Sequence, residues 1–182
     1  MMNIRSFLIS ITIVLFIGCE LEETKKNQDY NPEQKLKELG IQLSSPSSPV
    51  ANYVNTVRTG NLVFISGKGP LKSDGNYVLG KLGENLTLDQ GYEAARLTAI
   101  NLISTLKASI GDLSKVKRIV KVTGMVNATS NFTDHPKVVN GCSDLLVEVF
   151  GDNGKHTRAA VGMNSLPLNI AVEIDMVVEV YD

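Results

Sequence analysis

Apolar and polar residues alternate from Ile170 to the end of the chain. Ile170, Val172, Ile174, Met176, Val178 and Val180 fall on one side; Ala171, Glu173, Asp175, Val177, Glu179 and Tyr181 fall on the other. A period of two over about a dozen residues predicts a strand with one apolar face. His156 to Met163 reads as a shorter strand before it. The linker Asn164 to Asn169 carries a proline and two asparagines and can turn. The two strands are therefore expected to close as a hairpin centred near Leu166-Pro167. In that hairpin Arg158 lies roughly opposite Asp175 and diagonal to Glu173, and opposed residues share a face. A slip of one residue would send the arginine to the other face. An arginine beside carboxylates is open to two readings here: a fork that receives a ligand, or a cross-strand ion pair on a solvated face.

Upstream, Asn31 to Gly40 reads as a short helix, with Asn31 as cap, Pro32 in the first position and Gly40 at the end. Ser44 to Pro49 is a Ser/Pro loop. Tyr53 to Arg58 and Asn61 to Ser66 flank Thr59-Gly60 as a hairpin. Tyr77 to Lys81 is a third expected strand. Asp89 to Ile110 is the longest helix. Thr87 and Gln90 form a capping box before it, and Gly111 ends it. Its apolar stripe is Tyr92, Ala95, Ala99, Leu102, Ile103, Leu106 and Ile110. Val116 to Val126 is a strand with Lys117, Arg118 and Lys121 outward. Pro136 to Phe150 is a second helix whose buried side is Val139, Cys142, Leu146 and Val149.

The order β-β-β-α-β-α-β-β predicts an α+β fold: one mostly antiparallel or mixed sheet with two helices on one face. The other face then lacks a cover from its own chain, and its apolar positions imply a partner surface.

The first residues change the picture of where the protein resides. Arg5 precedes the apolar run Phe7–Ile17, which has the length of a signal-peptide core and is too short to span a bilayer. Gly18-Cys19 follows. Leu15-Phe16-Ile17-Gly18-Cys19 looks like a bacterial lipobox, with Phe16 in place of the usual Leu; the alternative is an ordinary secretory signal with an incidental cysteine. The expected organisation is a signal peptide at residues 1–18, a polar tether at 19–31 and a domain at 32–182. Cys19 would be lipidated, and the protein exported and membrane-anchored.

Removing residues 1–18 leaves 17 Lys and Arg against 19 Asp and Glu. No basic cluster stands out, which argues against nucleic acid as a partner. Cys142 is then the remaining cysteine and reads as a small core residue, with a nucleophile as the alternative. His135 and His156 match no metal spacing and read as surface residues.

Arg158, then Leu166-Pro167, then Val172-Glu173-Ile174-Asp175, in this order and at this spacing, resemble the signature of the RidA/YjgF family. The resemblance extends from about Pro32 to the C-terminus through Tyr53-Val54, Val63–Gly67, Pro70, Gly111-Asp112 and Val139-Asn140. It implies a chorismate-mutase-like fold that assembles as a homotrimer, with small-molecule sites in the clefts between subunits. It implies hydrolysis of reactive imines and enamines to keto acids and ammonia, with no metal and no organic cofactor. Arg158 matches the arginine that binds the substrate carboxylate, and Glu173 the glutamate that positions water. Tyr53, Ser66 with Gly67, and Asn140 match the ligand-contacting positions. A planar guanidinium suits a carboxylate bidentately, and an imine carbon needs only a water oriented by an acceptor.

Two departures qualify the match. The deaminases of the family usually carry Cys two residues after the arginine, where Ala160 stands here. Their Ser-Gly-Gln turn reads Ser66-Gly67-Lys68. The competing expectation is a non-catalytic trimeric module that binds a small carboxylate or a protein at the cell envelope. An endoribonuclease activity, a label carried by some relatives, is a third reading that the charge balance opposes.

Overall fold

The computed structural model describes residues 30–182 except Val50. The expected signal peptide, Cys19 and nearly all of the tether lie outside the described residues. From Pro32 onward the elements are helix α1 (Pro32–Glu38), strands β1 (Thr56–Thr59) and β2 (Leu62–Lys68), helix α2 (Leu88–Ile110), strand β3 (Val116–Asn127), helix α3 (His135–Phe150), and strands β4 (Thr157–Met163) and β5 (Val172–Val180).

The strands form one sheet in the order β1-β2-β5-β3-β4. All neighbours are antiparallel except β3 and β4, which run parallel. A parallel pair needs a crossover, and α3 supplies it. This overturns the expected closing hairpin. β4 and β5 do not pair; β3 lies between them, and Arg158 sits beside Val122 rather than opposite Asp175. The proline and asparagines do turn the chain. A short 3-10 turn at Pro167–Asn169 has Leu168 and Asn169 at positive φ. It carries the chain past the end of β3, across two strand spacings of roughly 5 Å each.

The expected third strand at Tyr77–Lys81 is also absent. That segment makes isolated bridges, Leu71 with Tyr77 and Leu79 with Ile170, and Gly80 turns it at φ 129°. Tyr53 precedes β1 instead of lying on it.

The helices follow their sequence signals more closely. Thr87 accepts from the Gln90 backbone N–H at 3.2 Å, and the Gln90 side chain accepts from the Thr87 N–H at 2.9 Å. Gly111, at φ 82°, closes α2 by donating to the Lys107 carbonyl. Both long helices lie on one face of the sheet. Ala95, Ala99, Leu102, Ile103 and Leu106 from α2 and Val139, Cys142, Leu146 and Val149 from α3 are fully buried. They pack in one core with Val122, Val172, Ile174, Met176 and Val178 of the sheet. Each Val, Leu, Ile or Met among them contributes about 1.5–3 kcal/mol by leaving water. The two helices approach closely at Gly141, where a Cβ would run into the backbone carbonyl of Tyr92. That contact explains a glycine in mid-helix.

Among the described residues, no helix lies over the opposite face. Phe64 and Val57, paired on β2 and β1, are 44% and 55% exposed, and Val161 on β4 is 42% exposed. Val177 lies beside Phe64 on this face.

Candidate functional site

The sheet register divides the expected site residues between two faces. Arg158 on β4 pairs with Val122, a fully buried core residue, so its side chain lies on the helix side. There its Nη1 donates to Asn140 Oδ1 at 2.8 Å and to Ser143 Oγ at 3.0 Å. Asn140 and Ser143 are one turn apart on α3 and share a helix face. Arg158 makes no ion pair among the described residues, and its remaining N–H groups, on Nε and Nη2, have no partner there. Those two groups form the edge that matches a carboxylate bidentately.

Glu173 pairs with Met125, and its neighbour Ile174 pairs with Gly124, which a Cβ would press into Val139 of α3. Glu173 therefore points to the open face. It is half-buried and makes no hydrogen bond or ion pair among the described residues. Burial first, and then the charge of Asp175, push its carboxyl above the ordinary carboxylate value. Gly67 lies directly beside it: a Cβ there would overlap the Glu173 carboxylate. A bulge in β2 between Ile65 and Lys68 makes this approach possible.

Ser66, in the same bulge, donates its hydroxyl to the Val54 carbonyl at 2.7 Å, so it also stabilises the entry to β1. Tyr53, next in sequence to Val54, is 50% exposed. One chain thus joins Arg158 with Asn140, and separately joins Glu173 with Gly67 and Ser66. It does not bring the arginine and the glutamate together.

Ala160 occupies the expected cysteine position and packs partly against the core. Cys142 is a core residue. Burial raises its thiol to about 12, which leaves it inert. No group of three His, Cys, Asp or Glu side chains is arranged to hold a metal among the described residues.

His156 departs from its expected place at the surface. It is half-buried, with Nε2 at 3.0 Å from Ser143 Oγ and Nδ1 at 2.6 Å from the Gly154 carbonyl. The sequence did carry a signal for it. His156 and Arg158 are two apart in the segment that the sequence reads as a strand, where they would share a face, and Asn140 and Ser143 are three apart on a helix. His135 lies over Gly162 of β4 and meets Phe132 edge-on, with ring centroids 5.5 Å apart.

The comparisons with known proteins agree with this fold. The profile of the family described as "YjgF/chorismate mutase-like, putative endoribonuclease" matches residues 33–180. Protein TCP17 of Trypanosoma cruzi is 43% identical over 145 residues, which is 79% of this chain and 91% of that protein. The crystal structure of Atu1372 from Agrobacterium tumefaciens, titled as having unknown function, superposes with a TM-score of 0.77 at 42% identity, covering 82% of this chain and 92% of that one. A structure titled "putative endoribonuclease" from Shewanella oneidensis gives a TM-score of 0.80 at 33% identity, over 82% and 99% of the two chains. The chain belongs to the YjgF/chorismate mutase-like family.

Proposed function

We propose that this protein is a hydrolytic deaminase of 2-imino acids and their enamine tautomers, working as a homotrimer with its sites between subunits. The observation that carries the reading is Arg158: a guanidinium fixed through Nη1 by Asn140 and Ser143, with no partner on its other edge and no acidic side chain against it among the described residues. A buttressed arginine without an anion suits a ligand that supplies one.

The division of the two residues between faces supports assembly. Arg158 near the β4 edge of one copy meets Glu173 only on another copy. The open face, with Phe64, Val57 and Val161 exposed, suits a second copy as its cover.

In such a cleft the ligand carboxylate lies on Arg158. The Glu173 carboxylate takes a proton from water as its oxygen attacks the imine carbon. For the protonated imine, the Glu173 carboxyl then protonates the carbinolamine nitrogen; the carboxylate so formed takes the hydroxyl proton as the C–N bond breaks and hands it to the departing ammonia, so that ammonium and the 2-keto acid leave. A carboxyl raised above its ordinary value can accept and return a proton near neutral pH more readily than a solvated one. No cofactor takes part in this scheme.

The test is keto-acid formation from 2-imino acids generated in situ by an amino-acid oxidase. Wild type should accelerate release, and Arg158→Ala should lower kcat/KM by about a hundredfold or more, as loss of a charge-assisted bidentate contact does. The absence of a cysteine at position 160 favours one other reading, a small-carboxylate binding module without turnover. Binding of a keto acid to wild type with no acceleration across several side-chain sizes would establish that reading instead.

A further inference from the structure

The hydrogen bonds that hold Arg158 continue past Ser143 to His156 and the backbone. The Gly154 carbonyl can only accept, so His156 Nδ1 carries the proton. In a neutral imidazole Nε2 is then an acceptor, and the Ser143 hydroxyl donates to it. That direction leaves the Ser143 oxygen free to accept from Arg158 Nη1. The chain of donors therefore runs one way, from Arg158 to Ser143 to His156. Burial is the main influence that holds His156 below its ordinary value. The Arg158 charge acts in the same direction and the Gly154 bond opposes it, so the imidazole is neutral at pH 7.

We propose that Ser143 and His156 are positioning residues of the ligand site: the imidazole takes the Ser143 proton, the hydroxyl oxygen then fixes Arg158 Nη1, and the opposite edge of the guanidinium stays free for the carboxylate of a 2-oxo or 2-imino acid. The inference rests on the reading of Arg158 as a carboxylate clamp, and it assigns that clamp a support that titrates.

Protonation of His156 reverses the arrangement. Nε2 becomes a donor to Ser143, the Ser143 proton must turn elsewhere, and a second positive charge stands beside the guanidinium. Carboxylate affinity should rise as pH falls through the His156 pKa. The other charged and titratable groups nearby are Arg158 on the adjoining strand β4, the Lys155–Asp152 pair at 2.8 Å in the preceding turn, buried Cys142, and Asp144, which accepts from the Tyr92 hydroxyl at 2.9 Å. His135, over Gly162, is the second imidazole on this side of β4. In the proposed trimer, Glu173 of another copy adds a carboxylate.

The experiment is calorimetric titration of the full-length protein with 2-oxobutyrate between pH 7.5 and 5.5. Wild type should bind tighter as pH falls, by about fivefold once His156 is protonated, the effect of one added charge several ångströms away in a partly solvated cleft. His156→Gln keeps an acceptor for Ser143 but cannot charge. It should bind like wild type at pH 7.5 and, with Glu173→Gln present in both proteins so that this carboxyl adds no slope, lose the pH dependence. Ser143→Ala should bind about tenfold more weakly at pH 7.5 with a flattened profile, whereas His135→Gln should keep the wild-type slope. A slope retained in His156→Gln on the Glu173→Gln background overturns the proposal. Arg158→Ala binding as tightly as wild type instead removes the carboxylate reading underneath it. A measurement without ligand separates the two. By NMR, His156 should show the Nδ1–H tautomer and a pKa that rises in Arg158→Ala. An unmoved pKa or the other tautomer overturns the coupling, whatever 2-oxobutyrate does.

Discussion

The two faces of the sheet hold their charged groups in opposite ways. On the helix side, Arg158 is engaged by Asn140 and Ser143, and Ser143 in turn by His156. The network ends on a backbone carbonyl, so every member has a partner in its own chain. On the open side Glu173 is half-buried and unpaired among the described residues, with Asp175 adding repulsion. A carboxylate kept that way is held at a cost to stability. The helix side is a finished support, whereas the open side, in the proposed assembly, would be half of a site. On the proposed function, the clamp is complete within one subunit and the water-handling group waits for the junction between two.

The most disruptive way to test that contrast is to spoil the open face alone. Phe64→Glu places a charge where the proposed second copy packs, and an unpaired charge in such a junction costs about 3–5 kcal/mol. Light scattering should show the proposed trimer dissociating, and the proposed deaminase activity should vanish with it. Circular dichroism should stay unchanged, because Phe64 lies outside the core and is 44% exposed. A trimer with full activity would remove the open face from the assembly.

Next in size is Glu173→Gln. The amide keeps the shape but cannot take a proton, so kcat should fall about a hundredfold with KM little changed. Stability should move the other way. The folded-state pKa of Glu173 lies above its unfolded value, so its favourable contribution is full below the unfolded pKa and is lost as pH rises through the folded one. Thermal melts should therefore show Glu173→Gln more stable than wild type at pH 7, with the gap closing toward about pH 4. An unchanged kcat would take Glu173 out of the chemistry.

Much of this arrangement was legible in the sequence, and the failures share a cause. The capping box at Thr87 and Gln90, the Gly111 stop and the alternation in β5 are local signals, and each appears where the residues place it. The pairing of β4 with β3 is non-local. Nothing in Asn164–Asn169 distinguishes a turn that folds back on β4 from one that passes beyond β3. The expected hairpin therefore put Arg158 next to Asp175, on the wrong side of the sheet. Tyr77–Lys81 alternates like a strand, but Gly80 and a lack of continuous partners reduce it to bridges. His156 was misplaced because its burial depends on α3, and only the fold brings Ser143 to it. Arg158, Glu173 and Asn140 were found through family likeness, while their separation between two faces required the register.

The smallest expected effect bears on how Glu173 is seated. At Gly67 the atom that would meet a new Cβ is the end of the Glu173 side chain. Gly67 is not among the glycines at positive φ, so alanine brings no backbone strain there. The contrast is Gly141, where the obstacle is the backbone of Tyr92 and cannot yield. Gly67→Ala should therefore leave stability within about 0.5 kcal/mol of wild type, as the carboxylate swings aside. The displaced carboxylate no longer lies over the bulge, and a misplacement of about an ångström is enough to slow a positioned reaction. Activity should fall about tenfold, in kcat rather than KM, while 2-oxobutyrate binding and its pH dependence stay as in wild type. Loss of that binding would mean that Gly67 supports the carboxylate clamp as well, and that the two faces are less independent than their hydrogen bonds indicate.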